Sequence, residues 1–125
     1  MNILVIEDEE ALSELLGYIL SDEGYEVTIA RDYDEALDML DIAQYNLIMA
    51  DMTIPGGNGI DLIDHARGSH PLAQYIVMSG YELNEEQKTR VDEMSCYFLS
   101  KPFRIDEVSE IIRNIINSLK KINNC

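Results

Sequence analysis

Four apolar runs of the chain each end on side chains that could take part in phosphate or metal chemistry. These side chains are a pair of acids, a third acid, a hydroxyl and an amine: Glu7, Asp8, Asp51, Ser79 and Lys101. Neighbouring carboxylates repel one another and raise each other's pKa unless a cation lies between them. Mg²⁺ would remove that repulsion, because it prefers oxygen ligands and often shares its coordination shell with phosphate.

Asp51 is the candidate nucleophile of this group, since a carboxylate oxygen can form an aspartyl phosphate. A phosphoryl group on Asp51 would add negative charge, which a metal ion on one side and Lys101 on the other could neutralise. The hydroxyl of Ser79 could donate a hydrogen bond to a phosphoryl oxygen. Phosphoryl transfer depends mostly on positioning and charge neutralisation, so these residue types suffice for it.

The elements that must position these residues alternate between short apolar runs and helical patterns. Strands are predicted at 3–7, 26–30, 46–50, 74–79 and 96–100, with helices between them. Strands that alternate with helices favour right-handed crossovers and a parallel sheet covered on both faces. Ligands of such sheets bind at the carboxyl ends of the strands, and all of the candidate residues fall there.

Three of the predicted helices have features of their own. The fourth helix, 84–94, has only Val91 and Met94 as apolar residues, with Leu83 at its edge, so we expect it to bury little. The second helix begins after Asp32, which is a plausible N-cap. The last helix, 105–119, carries an isoleucine-rich face.

Composition limits the classes of protein that fit. The 125 residues suit one domain, and a hydrophobic content of 46% allows a substantial core. The formal charge is −15, and residues 1–66 contain a single cation, Arg31, which argues against direct nucleic-acid binding. No apolar run approaches the roughly 18 residues of a membrane span, and the amino terminus lacks the basic region of a secretory signal. We therefore expect a cytoplasmic protein without a membrane partner.

The cysteines and histidines suggest no additional site. Cys96 lies in an apolar run and is expected to pack as a small hydrophobic residue, while Cys125 is the last residue of a polar tail. His65 and His70 are both expected at the surface.

The sequence resembles the response-regulator receiver (CheY-like) domains of two-component signalling over essentially its whole length. The motifs that carry the resemblance are "ILVIEDE", "LIMADMTIPGGNGIDLI", "IVMSG" and "YFLSKPF". The resemblance implies a flavodoxin-like (βα)5 fold: a doubly wound, five-stranded parallel sheet of strand order 2-1-3-4-5, with helices on both faces. It also implies a single receiver domain over 1–125, with a core at 1–119 and a polar tail at 120–125.

The resemblance assigns roles to individual residues. Asp51 matches the phosphoacceptor, Asp8 the direct metal-binding acid and Glu7 its partner that reaches Mg²⁺ through water. Thr53 would contribute a backbone carbonyl to the metal, which could also be Mn²⁺. Ser79 matches the hydroxyl and Lys101 the lysine of the family, and Lys101-Pro102 resembles its cis-prolyl bond.

Four positions concern switching and the lifetime of the phosphoryl group. By resemblance, Ser79 and the aromatic Phe98 form the switch, and Phe98 must act through packing because it has no hydroxyl. Thr53 and Tyr81 match the positions that tune phosphoryl lifetime. Tyr81 is large enough to shield an acyl phosphate from water, which leads to the hypothesis that the phosphorylated form persists for minutes or more.

The resemblance also implies partners. A histidine kinase or a phosphotransfer protein would supply the phosphoryl group. A downstream protein or output domain would read the surface made by the fourth helix, fifth strand and last helix, the α4-β5-α5 surface, and a homodimer is a further option. On this interpretation the chain catalyses its own phosphotransfer and slow autodephosphorylation, but it is a signalling switch and not a turnover enzyme.

Three other classes of protein share some of these features. A haloacid-dehalogenase-type hydrolase would need its nucleophile on the first strand and an acid two residues later, where this chain has Thr53. A flavin-binding domain would need a phosphate-binding loop after the first strand, where "EDEEA" would repel phosphate. A pseudo-receiver, a non-phosphorylated interaction module, is the main alternative. The sequence leaves open whether the chain acts alone or is part of a larger regulator or hybrid kinase.

Overall fold

The computed structural model describes the backbone of residues 1–123 and the side chains of residues 1–119. Within that range, the five strands of the main sheet alternate with five helices along the chain. The strands are β1 (Asn2–Ile6), β2 (Glu26–Ala30), β3 (Leu47–Asp51), β4 (Gln74–Ser79) and β5 (Tyr97–Ser100). The helices are α1 (Glu10–Asp22), α2 (Tyr33–Ile42), α3 (Gly59–Ser69), α4 (Glu85–Glu93) and α5 (Ile105–Asn123).

The five strands form one parallel sheet in the order β2-β1-β3-β4-β5. This is the predicted order 2-1-3-4-5, and the doubly wound, flavodoxin-like fold is confirmed. The strand order reverses at β1 and β3, which lie side by side in the sheet. In sheets of this kind, that position is where ligands bind.

The core has two layers because successive strand residues point to opposite faces of the sheet. On one face, Leu4 and Ile6 of β1 pack with apolar residues of α2, α3 and α4. On the other face, Ile3 and Val5 pack with apolar residues of α1 and α5. Both faces of the central strands are therefore covered, which explains why β1 and β3 read as continuous apolar runs.

Side-chain caps fix where three of the helices begin. The predicted N-cap Asp32 accepts a hydrogen bond from the backbone N–H of Glu35 at 2.7 Å. Asn58 caps α3. Asn84 and Gln87 form a capping box at α4, a reciprocal pair whose Asn-x-x-Gln spacing is visible in the sequence.

Helix α4 is thinly packed, as predicted. Val91 is its one buried residue. The helix is also attached through Arg90, whose guanidinium donates to the carboxylate of Asp61 on α3 at 2.8 Å. Because this ion pair is exposed, it contributes little stability.

Two segments differ from the expectations for them. A short antiparallel hairpin, Thr53–Ile54 with Gly57–Asn58, occupies the segment after Asp51 that was expected to be a loop. Helix α5 continues to Asn123, so the helix includes residues of the predicted tail at 120–125. The remainder of that tail, 124–125, lies outside the described residues.

The prediction that His70 lies at the surface is wrong, whereas His65 is exposed as expected. His70 is buried, and its Nε2 donates to the carbonyl of Leu40 at 2.9 Å. The imidazole also lies near the ring of Tyr45, with centroids 6.0 Å apart. Nothing in the local sequence signals this burial, because it depends on the approach of α2 to the end of α3.

No helix within residues 1–123 combines the length and apolar character that crossing a membrane requires.

Candidate functional site

The carboxyl ends of the central strands meet at one edge of the sheet, and they bring the predicted site residues together. The register pairs Ile6 with Ala50, so Glu7 follows β1 beside the end of β3. Ser79 pairs with Ser100 at the ends of β4 and β5, immediately before Lys101. The parallel register is what converts residues far apart in sequence into a single cluster.

Three carboxylates form the centre of this cluster. Oxygen atoms of Glu7, Asp8 and Asp51 all lie within 4.8 Å of one another. Glu7 is fully buried and Asp51 is only 7% exposed, whereas Asp8 is open to solvent. A hard divalent cation suits this donor set, because all the donors are oxygens and the exposed side leaves room for water ligands.

Lys101 supplies the opposite charge. Its ammonium donates to Oδ2 of Asp51 at 2.6 Å and also to Oε1 of Glu7. Burial favours the neutral amine and would lower the pKa of Lys101. The hydrogen bonds and charges of the two carboxylates outweigh that effect, so the pKa is raised above its ordinary value. The lysine is therefore held in its charged form, in contact with Asp51.

Glu7 is the acid most affected by its surroundings. Burial raises the pKa of the Glu7 carboxyl above its ordinary value, and the charge of Asp51 acts in the same direction. The hydrogen bonds from Lys101 and from the N–H of Glu9 oppose the increase without cancelling it. A cation near this carboxylate would favour its ionised form.

The backbone around Asp51 is fixed by close contacts. The N–H of Thr53 donates to Oδ1 of Asp51 at 3.2 Å, which orients the carboxylate. Gly59, the first residue of α3, packs against the backbone of Asp51 so closely that a Cβ would lie 2.4 Å from its carbonyl oxygen. The N–H of Gly59 donates to the carbonyl of Met52 at 3.1 Å. The start of α3 is therefore in direct contact with the residue that carries the candidate nucleophile.

Ser79 is buried at the edge of the cluster, but its hydroxyl bonds elsewhere. The hydroxyl donates to the carbonyl of Tyr81 at 2.7 Å and accepts from the N–H of the same residue at 3.1 Å. The hydroxyl thus holds the loop after β4, and the structure gives it no hydrogen bond to Asp51.

Phe98 and Tyr81 both lie beside cavities on the α4 side of the site. Phe98 is 40% exposed and lines a cavity of about 480 Å³ together with Leu83 and Val91. Tyr81 is half exposed and borders this cavity and a second one of about 340 Å³, which Thr53 also lines. Both aromatic rings therefore have free space next to them.

The acids and the lysine could be identified from the sequence, whereas several contacts that organise them could not. Among these are the contact of Lys101 with Glu7 as well as Asp51, and the close packing that requires Gly59 to lack a side chain. The Lys101–Pro102 peptide bond is cis, as the resemblance implied. The Asn58-Gly59 pair at the start of α3 was the available signal for the tight approach of Gly59.

The chain is an α/β module of a definite class: its doubly wound parallel sheet carries an acid cluster and a lysine at its carboxyl edge. Comparison with known proteins identifies the family within that class. The family described as the response regulator receiver domain matches residues 3–113. The chain belongs to this family, whose members are signalling modules of two-component systems and bind Mg²⁺ at an acidic cluster.

Individual relatives agree with this assignment. The chain is 31% identical over 121 residues to the nitrogen assimilation regulatory protein NtrX of Azorhizobium caulinodans, covering 95% of this chain and 27% of NtrX. It is 29% identical over 115 residues to sporulation initiation phosphotransferase F of Bacillus subtilis, covering 91% of this chain and 92% of that protein. The chain spans about a quarter of NtrX and about half of other relatives, such as the Escherichia coli regulator PhoB.

A solved structure gives the same result for the fold. A CheY-like response regulator receiver domain protein from Methanospirillum hungatei aligns with a TM-score of 0.89 and 26% identity, covering 96% of each chain.

Proposed function

We propose that this chain is a single receiver domain that accepts a phosphoryl group on Asp51, in a Mg²⁺-dependent reaction, from the phosphohistidine of a kinase or phosphotransfer protein. The observation that carries the proposal is the contact of the Lys101 ammonium with Asp51, within a cluster that also holds Glu7 and Asp8. Each of these side chains has a use in phosphoryl transfer, and together they occupy the edge of the sheet where ligands bind.

Glu7, Asp8 and Asp51 would hold the metal, with Glu7 acting through water and Thr53 adding its backbone carbonyl. Bound Mg²⁺ would supply positive charge beside the phosphoryl oxygens. Mn²⁺ has similar ligand preferences and could substitute.

The protein's own residues carry the transfer. A carboxylate oxygen of Asp51 attacks phosphorus, the P–N bond of the donor breaks, and the released imidazole takes up a proton. Lys101 stabilises the charge on the phosphoryl oxygens and then remains paired with the new aspartyl phosphate. The Thr53 N–H, which contacts Asp51 Oδ1, holds the carboxylate in one orientation before the attack.

Ser79 and Phe98 would convert phosphorylation into a change of surface. The hydroxyl of Ser79 would leave Tyr81 and donate to a phosphoryl oxygen, which releases the loop after β4. Phe98 would then turn from its half-exposed position into the adjacent space by packing alone. Because α4 buries only Val91, the α4-β5-α5 surface can adjust at low cost, and a downstream protein, an output domain or a second copy would recognise it.

Tyr81 and Thr53 would set how long the phosphoryl group survives. Both residues line one cavity beside the site, where the tyrosine ring could limit the access of water to the acyl phosphate. The domain would thus be a switch that catalyses its own phosphorylation and slow dephosphorylation, and we place it in the cytoplasm with the partners described above.

The direct test is phosphorylation by a small donor. The protein is incubated with acetyl phosphate, with and without Mg²⁺, and its intact mass is measured. We expect one phosphoryl addition that requires Mg²⁺ and is lost in Asp51→Asn. The matched control is Asp41→Asn, which changes an exposed aspartate on α2 and should leave the addition unchanged. A wild-type protein that gains no mass would favour the pseudo-receiver.

A second test concerns the switch. Beryllofluoride with Mg²⁺ imitates the phosphoryl group, and amide chemical shifts then report where the backbone responds. The proposal predicts changes that extend over residues 80–105. Changes restricted to the hairpin after Asp51 would contradict the switch while leaving phosphorylation intact.

A further inference from the structure

The first residue of α2 contacts the hairpin that follows Asp51, although nothing in the reaction described above involves α2. The backbone N–H of Tyr33 donates to the carbonyl of Pro55, at the tip of the hairpin, at 2.9 Å. Amide groups in the first turn of a helix have no partner within the helix, so this carbonyl satisfies one of them. Helix α2 and the hairpin are therefore joined through their backbones.

The ring of Tyr33 reinforces this contact because two glycines leave space for it. A Cβ at Gly57 would lie 2.5 Å from Cδ2 of Tyr33, and a Cβ at Gly56 would lie 3.3 Å from its Cβ. The tyrosine thus occupies the volume that a side chain at position 57 would need. Gly56 also has a φ of 90°, which favours glycine, whereas no such conformation is recorded for Gly57. The absence of a side chain at position 57 is consequently explained by the ring alone.

The hairpin connects this contact to the site. Gly57 pairs with Ile54, and Asn58 pairs with Thr53, whose N–H bonds to the carboxylate of Asp51. Movement of the hairpin would therefore move Thr53, the residue expected to offer its carbonyl to the metal.

We propose that Tyr33 is a positioning residue: its ring packs against Gly57 and its backbone N–H binds Pro55, so that together they clamp the hairpin and fix Thr53 beside Asp51. This inference rests on the proposed metal-dependent function, and it adds a role for α2 in preparing the site. Residues that orient a metal site without touching the metal typically change its affinity by roughly 10- to 100-fold when they are removed.

The experiment compares Tyr33→Ala, Tyr33→Phe, Gly57→Ala and the double variant Tyr33→Ala/Gly57→Ala. The affinity for Mg²⁺ is measured by titration of amide chemical shifts. Amide hydrogen exchange of Thr53 in the metal-free protein gives a readout that does not depend on metal or activity. Gly68→Ala on α3 is the control, because a Cβ there has no heavy atom within 4 Å.

We expect Tyr33→Ala to weaken Mg²⁺ binding about tenfold and to accelerate exchange at Thr53. Tyr33→Phe keeps the ring and should stay within about twofold of wild type. Gly57→Ala should weaken binding in the presence of the tyrosine ring and have almost no further effect once the ring is removed. A Gly57→Ala effect on Mg²⁺ binding that depends on the Tyr33 ring distinguishes a clamp from a general loss of stability.

Two results would overturn the inference. One is a Tyr33→Ala protein whose Mg²⁺ affinity and Thr53 exchange match wild type; the other is a Gly57→Ala effect of equal size in both backgrounds. Should Tyr33→Ala fail to fold, Tyr33→Leu replaces it in the same comparison. Failure of the wild-type protein to bind Mg²⁺ would overturn the proposed function together with the clamp, whereas normal wild-type binding with indifferent variants would overturn the clamp only.

Discussion

Replacing Lys101 by methionine tests the electrostatic centre of the site. The substitution keeps most of the apolar stem and removes the ammonium that contacts both Glu7 and Asp51. Glu7 is fully buried, so the loss leaves its carboxylate without a counterion in a poorly hydrated position. In the metal-free protein, two nearly buried acids would then face each other with no cation between them.

The expected magnitude follows from the burial of this group. Removing one member of a fully buried ion pair typically destabilises a protein by about 3–5 kcal/mol. The Lys101 side chain is 18% exposed, so water can partly compensate for its removal. We therefore expect Lys101→Met to lower the free energy of unfolding by about 2–3 kcal/mol, which is at or below the lower limit of that range.

Urea unfolding in the presence of EDTA measures this loss. Lys88→Met is the control, since Lys88 is a half-exposed lysine that lies 3.7 and 3.8 Å from surface acids, and its removal should change stability by less than about 1 kcal/mol. In a Glu7→Gln background the effect of Lys101→Met should shrink by about 1–2 kcal/mol, because one of the two buried charges is gone. A Lys101→Met loss no larger than the Lys88→Met loss, and unchanged by Glu7→Gln, would show that Lys101 does not stabilise the fold through the buried carboxylate of Glu7.

Three further predictions concern other parts of the molecule. Gly59→Ala should destabilise the protein by about 2–3 kcal/mol in urea unfolding, because the added Cβ would meet the backbone of Asp51. Gly68→Ala is the control: a Cβ there has open space, so the substitution should be neutral or slightly stabilising. Equal effects of the two substitutions on stability would contradict the close packing at Gly59. Burial raises the pKa of the Cys96 thiol from 9.0 to about 11, so at pH 8 the folded protein should have a thiolate fraction roughly 100-fold below that of the unfolded chain. The rate of alkylation of Cys96 is followed by mass spectrometry in a protein whose other cysteine is replaced by serine. In the folded protein this rate should rise steeply as the pH passes 9 and approaches 11. Equally fast labelling of the folded and the urea-unfolded protein would count against burial of the thiol. Tyr81→Ala should shorten the lifetime of the phosphorylated form in a dephosphorylation time course, and an unchanged lifetime would rule out shielding by the ring.

Strand residues and strand ends were the predictable part of the structure. The runs around Ile3 and Leu47 are continuous and short, which is the pattern of central parallel strands, and acids placed at their ends had to meet at one edge. Consequently the parallel sheet, the cap at Asp32 and the grouping of Glu7, Asp8, Asp51 and Lys101 could be anticipated from the residues, whereas the strand order was implied by the family resemblance.

Contacts between distant segments were not predictable in the same way. The burial of His70 depends on how α2 approaches the end of α3, and the fit of Tyr33 over Gly57 depends on the path of the hairpin. Neither contact leaves a periodic pattern, because each involves single residues from separate elements. The hydroxyl of Ser79 illustrates a further gap: its position was predicted, but its bonds to Tyr81 follow from the fold of a loop.

The most direct test of the proposed phosphoacceptor is to identify the residue that carries the phosphoryl group. After incubation with acetyl phosphate and Mg²⁺, borohydride reduction converts an aspartyl phosphate to homoserine, and peptide mapping by mass spectrometry locates it. We expect homoserine at position 51 alone, absent when Mg²⁺ is omitted and strongly reduced in Lys101→Met. Homoserine at another aspartate, or none at all in a folded protein with bound Mg²⁺, would contradict the claim that Asp51 is the phosphoacceptor.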